Sequence, residues 1–465
     1  MMDDAVYKII SADNGRVLSA RDFGMQDGSL AELQGFAGDL NQAWRAVKQE
    51  NGTYCFESLS AGRYLTLKRD DDEDGVWACV EPRDGASVLQ QWEIGDLGDD
   101  LYTIKSAATQ KYMQPKDNAK AAGTQIVQHT QADEGQRWEF VKLDDGSRKL
   151  PVMLQITGSL ENSSTPEIRK VDGMYHLYYM HNNKGFGLGL KVSKDLRNWD
   201  MIGAMIDADP RNMPYEWMKE KVPKLTGGMW VPGVYKVGGT YCCYYAISVI
   251  YEQTSVIGLA TNTTLDYKAP EYKWVDKGPV LESKTGDDFN AIDPFVIHDD
   301  AGQAWLAYGS SWTGIKMQKL DMDTGRPDAS GKVYSLASRF NGDRAIEAPH
   351  LIKRGEYFYL FCAVDRWDLN YRNAAGRSKS VTGPYLDRTG RDMMDGASTD
   401  VAVGRAGIKN PGHSSVFMDD DGQYYMAMEY FRDDSGVSYL GISTVEWDDE
   451  GWPITALTPK IFPTR

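Results

Sequence analysis

Beyond residue 150 this chain repeats one phrase, and that repetition constrains its fold more than any other feature. The phrase reads x-Pro-x-Val/Ile, then a glycine, then an alternation of tyrosine and apolar residues. It occurs as Thr165-Pro166-Glu167-Ile168 running to Tyr179 and as Val231-Pro232-Gly233-Val234 running to Tyr245. It returns as Asp293-Pro294-Phe295-Val296 running to Tyr308 and as Ala348-Pro349-His350-Leu351 running to Phe361. A fifth copy, Ser414-Ser415-Val416 running to Tyr425, lacks the proline. Successive copies start 55 to 66 residues apart. Five units of that size predict a five-bladed β-propeller. Turn signals such as Asp172-Gly173, Gly238-Gly239 and Asp420-Asp421-Gly422 separate the expected hairpin strands. In a propeller the first residues of the inner strands all point at one axis. Asp293 and Glu347, distant in sequence, are therefore expected to meet there.

Residues 1–145 carry a different period. Gln-x-Trp recurs as Gln42-Ala43-Trp44, Gln90-Gln91-Trp92 and Gln136-Arg137-Trp138. Each copy follows a Gly-x-x-Leu-like segment: Gly15-Arg16-Val17-Leu18, Gly62-Arg63-Tyr64-Leu65 and Gln110-Lys111-Tyr112-Met113. Three units, none able to bury its own face, predict a threefold all-β module. The region resembles the ricin-type β-trefoil. The expected fold class is thus all-β, with an N-terminal β-trefoil over 1–145 and a five-bladed propeller over 150–465. The polar turn Asp144-Asp145-Gly146-Ser147 marks the junction. The repeated Gln and Trp are expected to build the trefoil's shared core. In the lectin family an Asp directly after the Gly-x-x-Leu segment grips sugar hydroxyls. Here Ser19, Thr66 and Gln114 stand at those places, with Asp22, Asp70 and Asp117 a few residues on. A carbohydrate-binding and a purely structural role both stay open for this module.

Composition excludes several partners. The net charge of −16 argues against nucleic acid, whose phosphates need basic surface. No apolar run reaches membrane-spanning length. The 13 Trp, 26 Tyr and 13 Phe suit blade packing, and some suit stacking on sugar faces. Five cysteines make no disulfide framework, and no Cys/His cluster suggests zinc. Adjacent Cys242 and Cys243 are expected on opposite faces of a strand, as buried thiols. The start, Met-Met-Asp-Asp-Ala-Val-Tyr, does not read as a signal peptide. It fits a cytoplasmic protein or a secreted one whose leader has been removed. A monomer is expected.

The blade heads carry the chemistry. A glycosidic bond breaks through an oxocarbenium-like transition state, with an acid protonating the leaving oxygen and a carboxylate serving the opposite face. Asn290-Ala291-Ile292-Asp293-Pro294, Gly309-Ser310-Ser311-Trp312-Thr313-Gly314-Ile315 and Ile346-Glu347-Ala348-Pro349 come in order, followed by Gly376-Arg377-Ser378-Lys379-Ser380, Gly383-Pro384-Tyr385 and Pro411-Gly412-His413-Ser414. In these motifs the region resembles glycoside hydrolase family 43, and within it the arabinanases. The resemblance implies an inverting glycosidase acting on arabinose-containing plant polysaccharide, with α-1,5-linked arabinan favoured. It implies Glu347 as general acid and Asp293 as the carboxylate that tunes and positions it. It also implies His413 on the axis, near a water-coordinated Ca2+ of structural role, and no organic cofactor. Asn290, Ser311, Trp312 and Arg377 would lie near the sugar or support the acid, and Trp230 and Thr165 would border it.

One departure bears on mechanism. The family's first blade normally reads His-Asp-Pro-Ser, and that Asp is the general base. This chain reads Ser164-Thr165-Pro166-Glu167, and a hydroxyl is no base at neutral pH. Glu167, on the same strand face but ~6–7 Å deeper, and Glu161, in the preceding loop, are candidates for the displaced base. Alternatively, the substrate assists its own cleavage, or the chain binds carbohydrate with an impaired site. Blade two, Trp230-Val231-Pro232-Gly233, and the loop from Asp207 to Leu225 also leave the arabinanase pattern, so the cleft is open to a different sugar.

Overall fold

A computed structural model describes residues 4–130, 135–180, 187–206, 215–225, 228–340, 345–405, 407–432 and 436–464. Residues 207–214 of the loop singled out above lie outside the described residues. The chain separates into two compact units. One comprises 1–155, 405–408 and 443–465; the other comprises 156–404 and 409–442. No described helix is long and apolar enough to cross a membrane.

The first unit holds a β-trefoil whose strands join in one twelve-stranded sheet, from Val6–Ser11 to Trp138–Asp144. Its threefold character is visible at atomic scale. Trp44, Trp92 and Trp138 are fully buried. Their indole N–H groups donate to the carbonyls of Leu18 (3.0 Å), Leu65 (3.1 Å) and Met113 (3.1 Å). A buried indole needs such an acceptor, and each strand after a Gly-x-x-Leu-like start supplies it. The three glutamines brace the loops before them: Gln42 donates to Gly35 O, Gln90 to Pro82 O and Gln136 to Thr130 O. The Gln-x-Trp repeat is therefore core and scaffold, as its spacing predicted.

The propeller consists of five sheets in meander order. Their first strands are Ser164–Val171, Trp230–Val237, Phe295–His298, Ile346–Arg354 and Lys409–Met418. Every proline-headed phrase begins one of these strands. The tyrosine alternation has a packing reason. Tyr179 and Tyr245 lie opposite Gly189 and Gly258 on the next strand. A Cβ on either glycine would come within 2.6 Å of the facing ring. Glycine thus makes room for a ring that fills the space between blades. All five cysteines are buried thiols. Cys242 and Cys243 belong to different apolar clusters, as alternation along a strand requires.

Candidate active site

The five blade heads share one backbone feature. Thr165, Val231, Asp293, Ala348 and His413 all adopt left-handed conformations, with φ between 41° and 54°. In four of the five first strands the pairing register slips at this point: Ser164/Glu167, Trp230/Gly233, Glu347/His350 and Gly412/Ser415. Each slip is a bulge, which re-aims the neighbouring side chains. A non-glycine residue held this way costs roughly 1–3 kcal/mol, and such strain gathers at functional sites. For β-branched Thr165 and Val231 the conformation is a marked outlier.

Above the bulges opens a cavity of about 690 Å³. Its lining includes Thr165, Trp230, Asn290, Asp293, Ser311, Trp312, Glu347 and His413. The expected meeting of Asp293 and Glu347 is observed. Asp293 is buried, and its Oδ2 accepts the amide N–H of Ala348 at 2.8 Å. Tyr371 donates its hydroxyl to Glu347 Oε1 at 2.6 Å. Burial pushes Asp293 well above the usual carboxylate range, with the charge of Glu347 adding to it. Burial also raises Glu347. Two such carboxyls titrate as a pair and hold a proton between them to higher pH than either would alone. Around them, Ser311 donates its amide to Ile346 O at 2.7 Å, and Asn290 lies within reach of the Ser283 hydroxyl.

Three of the expected residues do not line this cavity. Glu167 lies deeper, in a narrow channel on the axis bounded by the five blade heads. There it is ion-paired with Arg169 at 2.6 Å and faces His350 at 3.7 Å. The bulge between Ser164 and Glu167 breaks the simple alternation on which the expectation rested, and Glu167 lines the channel instead of the cavity. Arg377 sits on the strand Leu369–Ser378, where its guanidinium stacks over the Tyr357 ring, 4.6 Å from the centroid. Glu161 is also absent from the lining; the Tyr439 hydroxyl reaches it at 3.5 Å.

Four lining residues had no place in the sequence reading. Tyr371 holds the Glu347 carboxyl. Trp367 and Tyr251, 45% and 70% exposed, join at the rim through an indole-to-hydroxyl hydrogen bond of 3.1 Å. Glu429, on the strand Tyr424–Phe431, is buried, and its Oε2 accepts the Thr165 amide at 3.2 Å. Burial pushes its pKa up to about 7, and the charge of Glu347 adds to the rise. A signal for Glu429 did exist: it is the lone charge inside the run Tyr-Tyr-Met-Ala-Met-Glu-Tyr-Phe. The Trp367 and Tyr251 signals were lost among 52 aromatic residues, most of which serve packing.

His413 lines both the cavity and the channel. Burial lowers its pKa to about 3, so the ring is neutral and able to act as a ligand. Ca2+ takes six to eight oxygen ligands. Among the described residues no three His, Cys, Asp or Glu side chains converge on a metal-ligating point. Among the described residues these side chains therefore do not build a calcium cage.

The model of Glycosyl hydrolases family 43 matches residues 160–453. That of the ricin-type beta-trefoil lectin domain-like family matches 2–78 and 89–156. An extracellular exo-α-(1→5)-L-arabinofuranosidase of Cellvibrio japonicus is 37% identical over 283 residues, which cover 58% of this chain and 80% of the relative. An extracellular endo-α-(1→5)-L-arabinanase of Bacillus subtilis is 35% identical over 271 residues, covering 57% and 79%. Among solved structures, an exo-1,5-α-L-arabinanase from a bovine ruminal metagenomic library superposes with a TM-score of 0.58 at 35% identity, covering 65% of this chain and 99% of that one. The Cellvibrio cellulosa α-L-arabinanase complexed with arabinohexaose gives 0.58 at 34%, covering 63% and 95%.

Proposed function

We propose that this chain, which belongs to glycosyl hydrolase family 43, is an inverting hydrolase of α-1,5-linked arabinan or its oligosaccharides, with Glu347 as general acid. The observation that carries this reading is the Asp293–Glu347 pair at the floor of an open cavity. Burial and mutual repulsion favour a proton on the pair near neutral pH, as an acid facing a leaving oxygen requires. Asp293, anchored by the Ala348 amide, supplies the repulsion and holds its place. Tyr371 orients the acid. Trp230, Trp312, Trp367 and Tyr251 offer flat faces for sugar rings at the wall and rim. The substrate class comes from the arabinan-directed activities for which the relatives are named and from the match of cavity and motifs. Any calcium near His413 would act structurally, and no proton transfer is routed through it.

In the trefoil, Ser19, Thr66 and Gln114 are buried and engaged inside the module. Asp22, Asp70 and Asp117 are exposed. We place any sugar-gripping carboxylates of this module at those three aspartates.

The test is sugar release from linear arabinan, arabinoxylan, xylan and galactan, with Glu347→Gln as control. Arabinan is expected to be cleaved fastest, and the variant to release almost nothing. Glycan binding without release by the natural chain would instead establish a binding protein with an impaired site, the role that Thr165 would then mark.

A further inference from the structure

Glu429 lacks what a structural buried carboxylate normally has. No cation pairs with it among the described residues, whereas Glu167 nearby is held by Arg169. Burying an unpaired carboxylate is expensive, and such groups concentrate where chemistry uses them. Among the described residues its side chain is met by the Thr165 amide and the hydroxyl of Ser164. Both belong to the head of blade one, where a base would be required and where Thr165 offers only a hydroxyl. That Thr165 Oγ1 is buried and without a hydrogen-bond partner.

The arrangement repeats a relationship found elsewhere on the axis. Asp293, from blade three, accepts the amide of left-handed Ala348 in blade four. Glu429, from blade five, accepts the amide of left-handed Thr165 in blade one. Glu429 and Glu347 line the same cavity, and each raises the other's cost of ionisation, yet no hydrogen bond links them. Tyr371 donates to Glu347 and also feels the charge of Glu429, so it neighbours both. An inverting site needs two carboxyls facing one cavity and held apart around a water, and Glu347 and Glu429 face one cavity without a hydrogen bond between them.

We propose that Glu429 is the general base of this enzyme, in the role that Thr165 cannot fill. The proposal rests on Glu347 being the acid. Glu429 takes a proton from a water whose oxygen bonds to the anomeric carbon. The bond from that carbon to the leaving oxygen breaks, its electron pair stays on that oxygen, and Glu347 delivers a proton there. Solvent then returns a proton to Glu347 and removes one from Glu429. The Thr165 hydroxyl gives the attacking water a second contact. With Glu429 titrating at about 7, the base is mostly ionised only above neutrality, so the optimum lies on the alkaline side for a glycosidase.

The experiment compares the natural chain, Glu429→Gln and Glu347→Gln on linear arabinan and on an aryl α-L-arabinofuranoside whose leaving group needs no proton. Glu429→Gln should lose about 10²–10⁴-fold in kcat on both substrates, with KM little changed, and added azide should restore turnover. The acidic limb of its kcat/KM profile should vanish. A Glu429→Gln variant within threefold of the natural chain on both substrates overturns the assignment. If that variant does not fold, Glu429→Asp carries the test: a loss of tenfold or more supports the proposal, and an unchanged rate overturns it. No release by the natural chain from either substrate sinks the hydrolase reading itself, a failure distinct from that of the base alone.

Discussion

The Glu429 carboxylate reaches from the fifth blade to the backbone amide of Thr165 in the first, at 3.2 Å. It thereby occupies the neighbourhood of the one blade head whose side chain departs from the family pattern in a chemically decisive way. Glu347, Asp293 and this carboxylate all face one cavity.

Glu429 carries a cost that stability measurements should reveal. Its folded pKa of about 7 lies above its ordinary value of 4.5. Between those values the folded state binds the extra proton, so its contribution to stability falls as pH rises from about 4.5 to 7. Above pH 7 the full penalty is present. Glu429→Gln removes it and keeps an oxygen acceptor for the Thr165 amide. The variant should be more stable than the natural chain at pH 8, by roughly a few kcal/mol, with the difference shrinking toward pH 4.5. Denaturant unfolding at both pH values checks this, and an equal loss of stability at both would speak against it.

Tyr371→Phe removes a donor that favours the ionised form of Glu347. The Glu347 pKa should therefore rise, and the alkaline limb of the rate profile should move to higher pH. A fall in kcat of roughly threefold to tenfold should accompany it, since the acid loses its orienting bond. A profile that does not move would mean that the hydroxyl has no bearing on the acid.

Gly412→Ala tests how Tyr371 is held. A Cβ on Gly412 would lie 1.8 Å from the Tyr371 ring, which is itself fully buried. Overpacking of this kind costs about 1–3 kcal/mol. A lowered melting temperature together with the rate defect of Tyr371→Phe is expected. Full activity would show that the ring has somewhere else to go.

Trp367→Ala strips an exposed ring from the cavity rim. Loss of one stacking face is worth about 1 kcal/mol. KM for arabinan oligosaccharides should rise about fivefold with kcat nearly unchanged, because the contact lies away from the bond that breaks.

The fold could be read from the sequence because both of its halves repeat. Each Gln-x-Trp places an indole on a carbonyl, and each proline-headed phrase begins an inner strand, so spacing alone announced the architecture. Asp293 and Glu347 were legible for the same reason, as residues at repeat heads. Glu429 was not, because it sits on the second strand of its blade and reaches the axis by side-chain length across a blade boundary. No periodicity along the chain encodes that reach. Glu167 was misleading in the opposite way: alternation suggested a side chain facing the cavity, but a bulge interrupts the strand before it and it lies in the channel with Arg169. Arg377 lies in a recognisable motif, yet it stacks on Tyr357 rather than bordering the cavity.

The central claim is that Glu347 delivers the proton to the leaving oxygen. The most direct measurement is kcat for Glu347→Gln on linear arabinan beside kcat on an aryl α-L-arabinofuranoside with a strongly acidic phenol. The account predicts a loss of about 10²–10⁴-fold on arabinan and near-natural turnover of the aryl glycoside, which leaves unaided. Equal losses on both substrates, or arabinan cleavage at the natural rate, would contradict it.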